Sequence, residues 1–439
     1  MPRPAVRFNH EVLWPIALGV IAALISLGRL WLGNHQALSE VVWAEDGLFP
    51  LCVDKAGFLT CLTDPFAGYL LFLPRLVAGG VALLPTESWA LATNLSAALI
   101  AGLACGASFA IMRRFGLGWV SSVIVGLLPV VAPVVGLEAI NALGSSYMLL
   151  LYVSVIALSF VVRDRYERWW PTITVAVLLL VTTLTIPTGG VLIALVLVQA
   201  VRRSVPWRAA GVWIAVVGVG LVAQWVTAIN ATKPRNYQTS GDTFVAWVKA
   251  VPDTLLTYWP GLHSSDYTLG EVFTISPLGI TGWIAVVAIV VGGVVLIVRG
   301  GDERVGIGLL LLSGIVVGAV PAIIGGTNNR YFVVPLLLWG AAVAVSLDQI
   351  IRHSRWWVVA AIIVAIVAVW WPLIPASQFR STPAPGWTGE VARVKAHCKA
   401  DPTAMERVIV SPYWPPNWGD ALAEPTHPDV KCLTVWKWM

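Results

Sequence analysis

Long apolar runs recur along this chain, separated by short polar segments that are rich in arginine at every second gap. A helix needs about 20 apolar residues to cross roughly 30 Å of hydrocarbon. The pattern predicts spans at Leu13–Leu32, Trp89–Met112, Leu117–Leu137, Leu143–Val162, Pro171–Ile186, Pro187–Val201, Ala209–Ile229, Leu278–Val298, Val305–Ile324, Tyr331–Leu347 and Trp356–Ile374. The first run is long and has no small-x-small site before the next polar segment, so no cleavable signal peptide is expected.

Two stretches break the pattern. Tyr69 to Leu84 is apolar but carries Pro74-Arg75 and Gly79-Gly80. Were it a span, Arg113-Arg114 would fall on the wrong side, so it reads as an interfacial or re-entrant helix pair along the outer leaflet. The second is Thr185-Ile186-Pro187-Thr188-Gly189-Gly190, which divides a run too short for two full spans and too long for one. Arginines flank it on both sides, which favours a hairpin that stops short of the outer surface and leaves a cavity.

Composition makes the class definite. Of 439 residues, 58% are hydrophobic and 12% charged, with mean hydropathy +0.80. That excludes a soluble globular protein and predicts an all-α polytopic membrane protein of about eleven transmembrane helices. Arg3 and Arg7, Arg113-Arg114, Arg163 to Arg168, Arg202 to Arg208, Arg299 to Arg304 and Arg352 to Arg355 mark the cytoplasmic segments, while every lysine falls outside them. The N-terminus is then inside, the C-terminus outside, and the location a cell membrane. Residues 1–374 form the transmembrane domain, with outer segments 33–88 and 230–276. Residues 375–439 form a small outer tail with a helix at Val391–Ala400 and a strand at Arg407–Ser411.

The cysteines agree with this topology. Cys52 and Cys61 lie in the first outer segment and Cys398 and Cys432 in the tail, where disulfides persist. Of the three pairings that four cysteines allow, Cys52–Cys61 and Cys398–Cys432 are expected.

Candidate chemistry begins at Glu45-Asp46, an acidic pair just beyond the first span of a chain poor in charge. Asn328-Asn329-Arg330-Tyr331-Phe332-Val333-Val334-Pro335 places an arginine-aromatic pair and a proline at the outer entry of a late span. One span, an outer loop opening on an acidic pair, interfacial helices, a helical bundle and an outer tail together resemble the GT-C superfamily of integral membrane glycosyltransferases, which use polyprenyl-phosphate sugars. The two local matches are Asp46 and the Arg330-Tyr331 motif, and the subfamily is not assigned.

The resemblance implies an inverting sugar transfer from a polyprenyl-phosphate donor to a glycan or lipid acceptor on the outer face. Such a reaction needs a carboxylate near the acceptor hydroxyl and cations at the departing phosphate. Asp46, followed by Gly47, is the expected base, with Glu45 beside it. Arg330 is the first candidate for the phosphate, because a guanidinium fork matches phosphate geometry. Arg75, Lys233 and Arg235 follow, and Tyr331, Tyr69 and His263 are candidate substrate contacts.

No Walker A loop, Gly-x-Ser-x-Gly, His-Glu-x-x-His or Asp-x-Asp occurs, so a nucleotide-sugar enzyme or an obligate metal site has no sequence support. No cofactor is expected, and the partners are donor, acceptor and bilayer rather than nucleic acid. Trp387, Tyr413, Trp414, Trp418, Trp436 and Trp438 lie beyond the last span, suited either to stacking on sugars or to packing the tail. The rival function is transport of lipid-linked saccharides, which would need ionisable groups deep in the spans; a polysaccharide ligase or polymerase would use similar outer loops.

Overall fold

The computed structural model describes residues 10–34, 37–42, 44–66, 68–132, 142–231, 277–323, 333–348, 386–407 and 429–432. Helices occupy every expected span except 356–374, which lies outside the described residues. They are α1 His10–Asn34, α5 Trp89–Phe115, α6 Trp119–Val131, α7 Tyr147–Ser159, α8 Trp169–Thr185, α9 Val191–Val201, α10 Trp207–Asn230, α11 Pro277–Arg299, α12 Asp302–Ile323 and α13 Val333–Ser346. Among the described residues, three stretches, Val12–Leu32, Thr86–Phe115 and Trp207–Asn230, are long and apolar enough to cross a bilayer. The protein is a membrane protein.

Burial divides the helices by role. Helix α7 is the hub: all of it but Leu150 is buried, from Tyr147 through Tyr152 to Ser159. A helix apolar on every side needs neighbours on every side, and α5, α6, α8, α9, α12 and α13 supply them. Helix α1 instead leaves Ile16, Val20, Ile21 and Leu24 exposed, and α10 leaves Val219, Val222 and Ile229 exposed. These outward faces suit lipid.

Helix α1 packs on α5 with backbones nearly touching. Gly102 and Gly106 of α5 form a small-xxx-small pair, and Gly19 of α1 sits against them. A Cβ built on Gly102 would lie 2.5 Å from the Gly19 carbonyl oxygen, and one on Gly106 would lie 2.6 Å from that of Pro15. Close approach of this kind drives association in lipid, where hydrocarbon offers no hydrophobic gain for pairing.

The arginine turns among the described residues gather at one end of the bundle, where they close helix C-termini. Arg202 donates to the carbonyls of Ile297 at 2.8 Å and Gly300 at 3.2 Å, and Arg163 to that of Arg203 at 3.1 Å. Orphan carbonyls there would otherwise lack partners. At the same end the buried Asp348, just past α13, accepts the Gly118 N–H at 2.9 Å and so caps α6.

The opposite end carries three short helices, α2 Ala44–Ala56, α3 Phe58–Thr63 and α4 Phe72–Val81. Helix α4 has 10 residues, about 15 Å long, which is too short to span. The Thr185 to Gly190 break also forms as read: α8 and α9 are short helices joined by a single turn at Pro187–Gly190.

The tail departs from an all-α architecture. Helix α14, Trp387–Ala400, is followed by strand β1, Met405–Arg407, paired antiparallel with β2, Asp429–Lys431. The strand starts before the expected Arg407, and 408–411 fall outside the described residues. Cys398 is bonded to Cys432 across this unit. Helix α14 docks on the segment that holds α2 to α4 and on the start of α5. Its Trp387 is buried, stacks on Trp89 with centroids 6.3 Å apart, and donates from Nε1 to the Thr86 carbonyl at 2.7 Å. The Glu40 carboxylate accepts the Thr388 N–H at 3.0 Å and its hydroxyl at 2.6 Å, a charge placed where the helix dipole favours it. Trp387 is therefore packed away from solvent, which overturns its candidacy as a sugar-stacking ring. Trp387→Ala is expected to cost about 3–5 kcal/mol and to open α14 to limited proteolysis, which peptide mapping of the digest would report.

Candidate functional site

Asp46 sits where the short helices α2–α4 meet the bundle. Helix α2 begins at Ala44, so Glu45 and Asp46 occupy its first turn rather than a loop. Gly47 mimics a turn signal in the sequence, but negative charge in a first turn complements the helix dipole and the apolar residues after Gly47 carry the helix on. The Asp46 side chain is 1% exposed. Its Oδ2 accepts the Leu143 N–H and its Oδ1 the Gly144 N–H, both at 2.7 Å. These donors belong to the single turn Leu143–Ser145 that leads into α7, and such N-terminal N–H groups have no partner within a helix. One carboxylate thus fastens α2 to the most buried helix of the molecule. Only the backbone of Glu45 is described.

The start of α2 is held from below as well. Asn94 of α5, buried, donates from Nδ2 to the carbonyls of Leu38 and Val41, each at 2.8 Å. Asn94-Leu95-Ser96 matches the glycosylation acceptor pattern, but the nitrogen that glycosylation would modify is the one bonded here, so the match is structural.

Arg75 is buried in α4 and turned toward α3. Its guanidinium donates to the backbone carbonyls of Cys61 and Asp64, lies 3.7 Å from the Asp64 carboxylate and stands over the Phe49 ring at 5.8 Å. Cys61 is joined in turn to Cys52 of α2 by a disulfide. Instead of a cation open to a phosphate, Arg75 is a strut that locks α4 to α3 and, through the disulfide, to the helix bearing Asp46.

Tyr69 lies in a tight turn, exchanging backbone hydrogen bonds with Phe66 at 2.9 and 3.0 Å, and its ring packs against the bundle core. What holds this turn is Gln224 of α10, which the sequence marks only as a polar residue near a span end. Its Oε1 accepts the Leu70 N–H at 2.8 Å, and its Nε2 donates to the carbonyls of Leu70 at 3.0 Å and Thr183 at 3.1 Å. Beside it the Thr185 hydroxyl accepts the Leu73 N–H at 3.2 Å in the first turn of α4. The available signal is a primary amide in a helix otherwise apolar around it. An amide pairs with both a donor and an acceptor of the backbone, which neither a leucine nor a carboxylate does. Gln224→Leu would leave the Leu70 N–H and carbonyl buried and unpartnered, at about 2–4 kcal/mol. Hydrogen exchange at Leu70 and Leu73 is expected to quicken in that variant; unchanged protection would refute the anchor.

Arg330, Tyr331, Lys233, Arg235 and His263 lie outside the described residues, as do Tyr413, Trp414, Trp418, Trp436 and Trp438.

The fold is shared with two solved structures of an archaeal oligosaccharyltransferase from Archaeoglobus fulgidus. One, AglB in complex with an inhibitory peptide and a dolichol-phosphate, is 13% identical and matches 88% of this chain and 58% of its own, with TM-score 0.50. The other, in the apo form, is 12% identical and matches 90% of this chain and 59% of its own, with TM-score 0.52. At such identities the likeness is one of fold, and this chain spans less than two thirds of those proteins. No protein-family profile and no curated protein matches it.

Proposed function

We propose that this protein is a membrane glycosyltransferase that moves a sugar from a polyprenyl-phosphate donor to a glycan or lipid acceptor on the outer face of the membrane. The observation that carries the reading is the fold shared with an oligosaccharyltransferase over nine tenths of the chain, one of whose structures holds a dolichol-phosphate. Asp46 is the proposed base: it is a carboxylate held at the junction of the short helices and the bundle by the Leu143 and Gly144 N–H groups, and a positioned carboxylate can take the acceptor proton. Displacement of the phosphate by the acceptor oxygen in one step inverts the anomeric carbon. Arg330 is the proposed phosphate partner, since Arg75 is committed to Asp64 and to backbone carbonyls.

Buried polar side chains in the described bundle do not favour transport: the guanidinium of Arg29, buried in α1, donates to the Val130 carbonyl at 2.8 Å and so ties α1 to α6. Ser154 and Thr182 share a hydrogen bond at 2.8 Å, and Gln199 donates to the Leu158 carbonyl at 2.8 Å. Both are ties between helices rather than an ionisable relay. Purified protein in liposomes, supplied with a panel of polyprenyl-phosphate sugars and lipid acceptors, separates the two readings. A new glycosidic product that is lost in Arg330→Ala supports the transferase, whereas movement of the donor lipid across the bilayer without product supports a transporter.

A further inference from the structure

The end of the bundle opposite Asp46 carries a cationic surface that the transfer chemistry does not use. Two turns about 40 residues apart in sequence are stapled together there. Arg163 donates to the Arg203 carbonyl, and Arg208 donates to the Glu167 carbonyl while lying over the Trp169 ring at 5.8 Å. Together the turns hold six arginines against Asp164 and Glu167. Arg165, Arg168, Arg203 and Arg208 are exposed, and Arg165 and Arg168 make no ion pair among the described residues.

Two features fix the level and the character of this surface. The turns lead into α8 and α10, whose outward faces expose Ile173, Val177, Val219 and Val222, as helices in hydrocarbon do. At the rim Trp170 is 80% exposed and Trp207 67%, as amphipathic rings are at a headgroup boundary. The arginines therefore stand at the depth of lipid phosphates.

The backbone adds an independent observation. Arg203 has φ 60°, the left-handed conformation that closes α9: its N–H bonds to the Ala200 carbonyl at 2.9 Å and the Ser204 N–H to the Gln199 carbonyl at 2.9 Å. The same closing motif ends α5, where glycine, Gly116, takes the left-handed position at φ 104°. A side chain there is strained. Arginine at a position that favours glycine places a cation on the surface at a cost to the fold.

We infer that the paired turns 163–168 and 202–208 form a binding site for the headgroups of anionic phospholipids in the adjoining leaflet. A planar guanidinium meets a phosphodiester through paired N–H donors. Each arginine near an anionic surface strengthens attachment, and the stapling of the two turns places several within reach of one headgroup. The site is independent of the sugar-transfer reading.

The test uses the full chain in nanodiscs of phosphatidylglycerol or phosphatidylcholine, reading the unfolding temperature in each and the anionic lipid retained on the protein by native mass spectrometry. The wild-type protein is expected to unfold at a higher temperature with phosphatidylglycerol. Arg165→Gln/Arg168→Gln is expected to bind that lipid roughly thirty-fold more weakly, while Lys399→Gln/Lys437→Gln, with equal loss of charge in the tail, retains the preference. Arg203→Gly gives the sharpest signature: higher stability in phosphatidylcholine, from relief of strain, together with a smaller gain from phosphatidylglycerol. Equal stability of the wild type in the two lipids would overturn the proposal. So would equal loss in the tail variant, or the whole gain reproduced by inorganic phosphate in phosphatidylcholine discs.

Discussion

Asp46→Asn is expected to lower sugar transfer by two to four orders of magnitude, the range in which a positioned general base contributes. The same substitution has a separate structural cost. Asparagine keeps one carbonyl oxygen for the Leu143 or the Gly144 N–H, but turns its own amide donors toward the other. One of the two 2.7 Å bonds is then lost and a buried N–H left without its acceptor, at about 1–3 kcal/mol. The two effects are separable, because the activity of protein that remains folded reports the chemistry and thermal unfolding reports the lock. A variant that unfolds earlier yet transfers sugar normally per folded molecule would make Asp46 an anchor only. Large loss per folded molecule is the result expected of a base.

Gly102→Val is expected to be the most damaging single change in the bundle. Its Cβ would sit 2.5 Å from the Gly19 carbonyl oxygen and 3.2 Å from the Ala23 Cβ, so α1 and α5 must move apart along their whole contact. Neither partner atom is the end of a flexible side chain. Overpacking a tight interface typically costs about 1–3 kcal/mol and more where backbone must yield, so a loss of at least about 3 kcal/mol is expected. The damage should extend to the outer end, because α5 also carries Asn94, which holds the strap between α1 and α2. Thermal unfolding of the variant in detergent checks the first effect, and hydrogen exchange at Val41 and in the first turn of α2 checks the second. Gly80→Ala is the contrasting control, since a Cβ there meets nothing within 4 Å.

Much of this architecture is legible in the chain because bilayer physics is strict. Apolar runs and arginine turns locate the described helices, and the same arginines, too awkward beside Tyr69 to Leu84, expose that piece as a short helix of 10 residues. The Thr185 to Gly190 break reads correctly for a similar reason, as proline and glycine leave only a hairpin between two arginine-rich flanks. What the sequence hides is which polar group meets which. Gln224 and Leu70 are 154 residues apart, and Trp387 and Thr86 are 301 apart. Nothing local distinguishes an amide that pins a turn from one that idles at a span end, or a packed indole from an exposed one. Arg75 misleads for a related reason. A cation in an apolar helix suggests an anionic ligand, but the carbonyls ending α3 and the nearby Asp64 satisfy it within the fold. Asp46 is singled out by its charge in an apolar neighbourhood, while its grip on Leu143 and Gly144 emerges only when the chain is folded.

The most direct test of the proposed transfer follows both products of the bond exchange. Purified wild-type protein and Asp46→Asn are incubated with a radiolabelled polyprenyl-phosphate sugar and a lipid acceptor, and free polyprenyl phosphate and labelled acceptor are quantified together. The wild type is expected to release one carrier phosphate for each sugar joined to acceptor, with inverted anomeric configuration by NMR, and Asp46→Asn to form both at least about a hundred-fold more slowly. Equal product from the two proteins, or a retained anomeric configuration, would contradict the account.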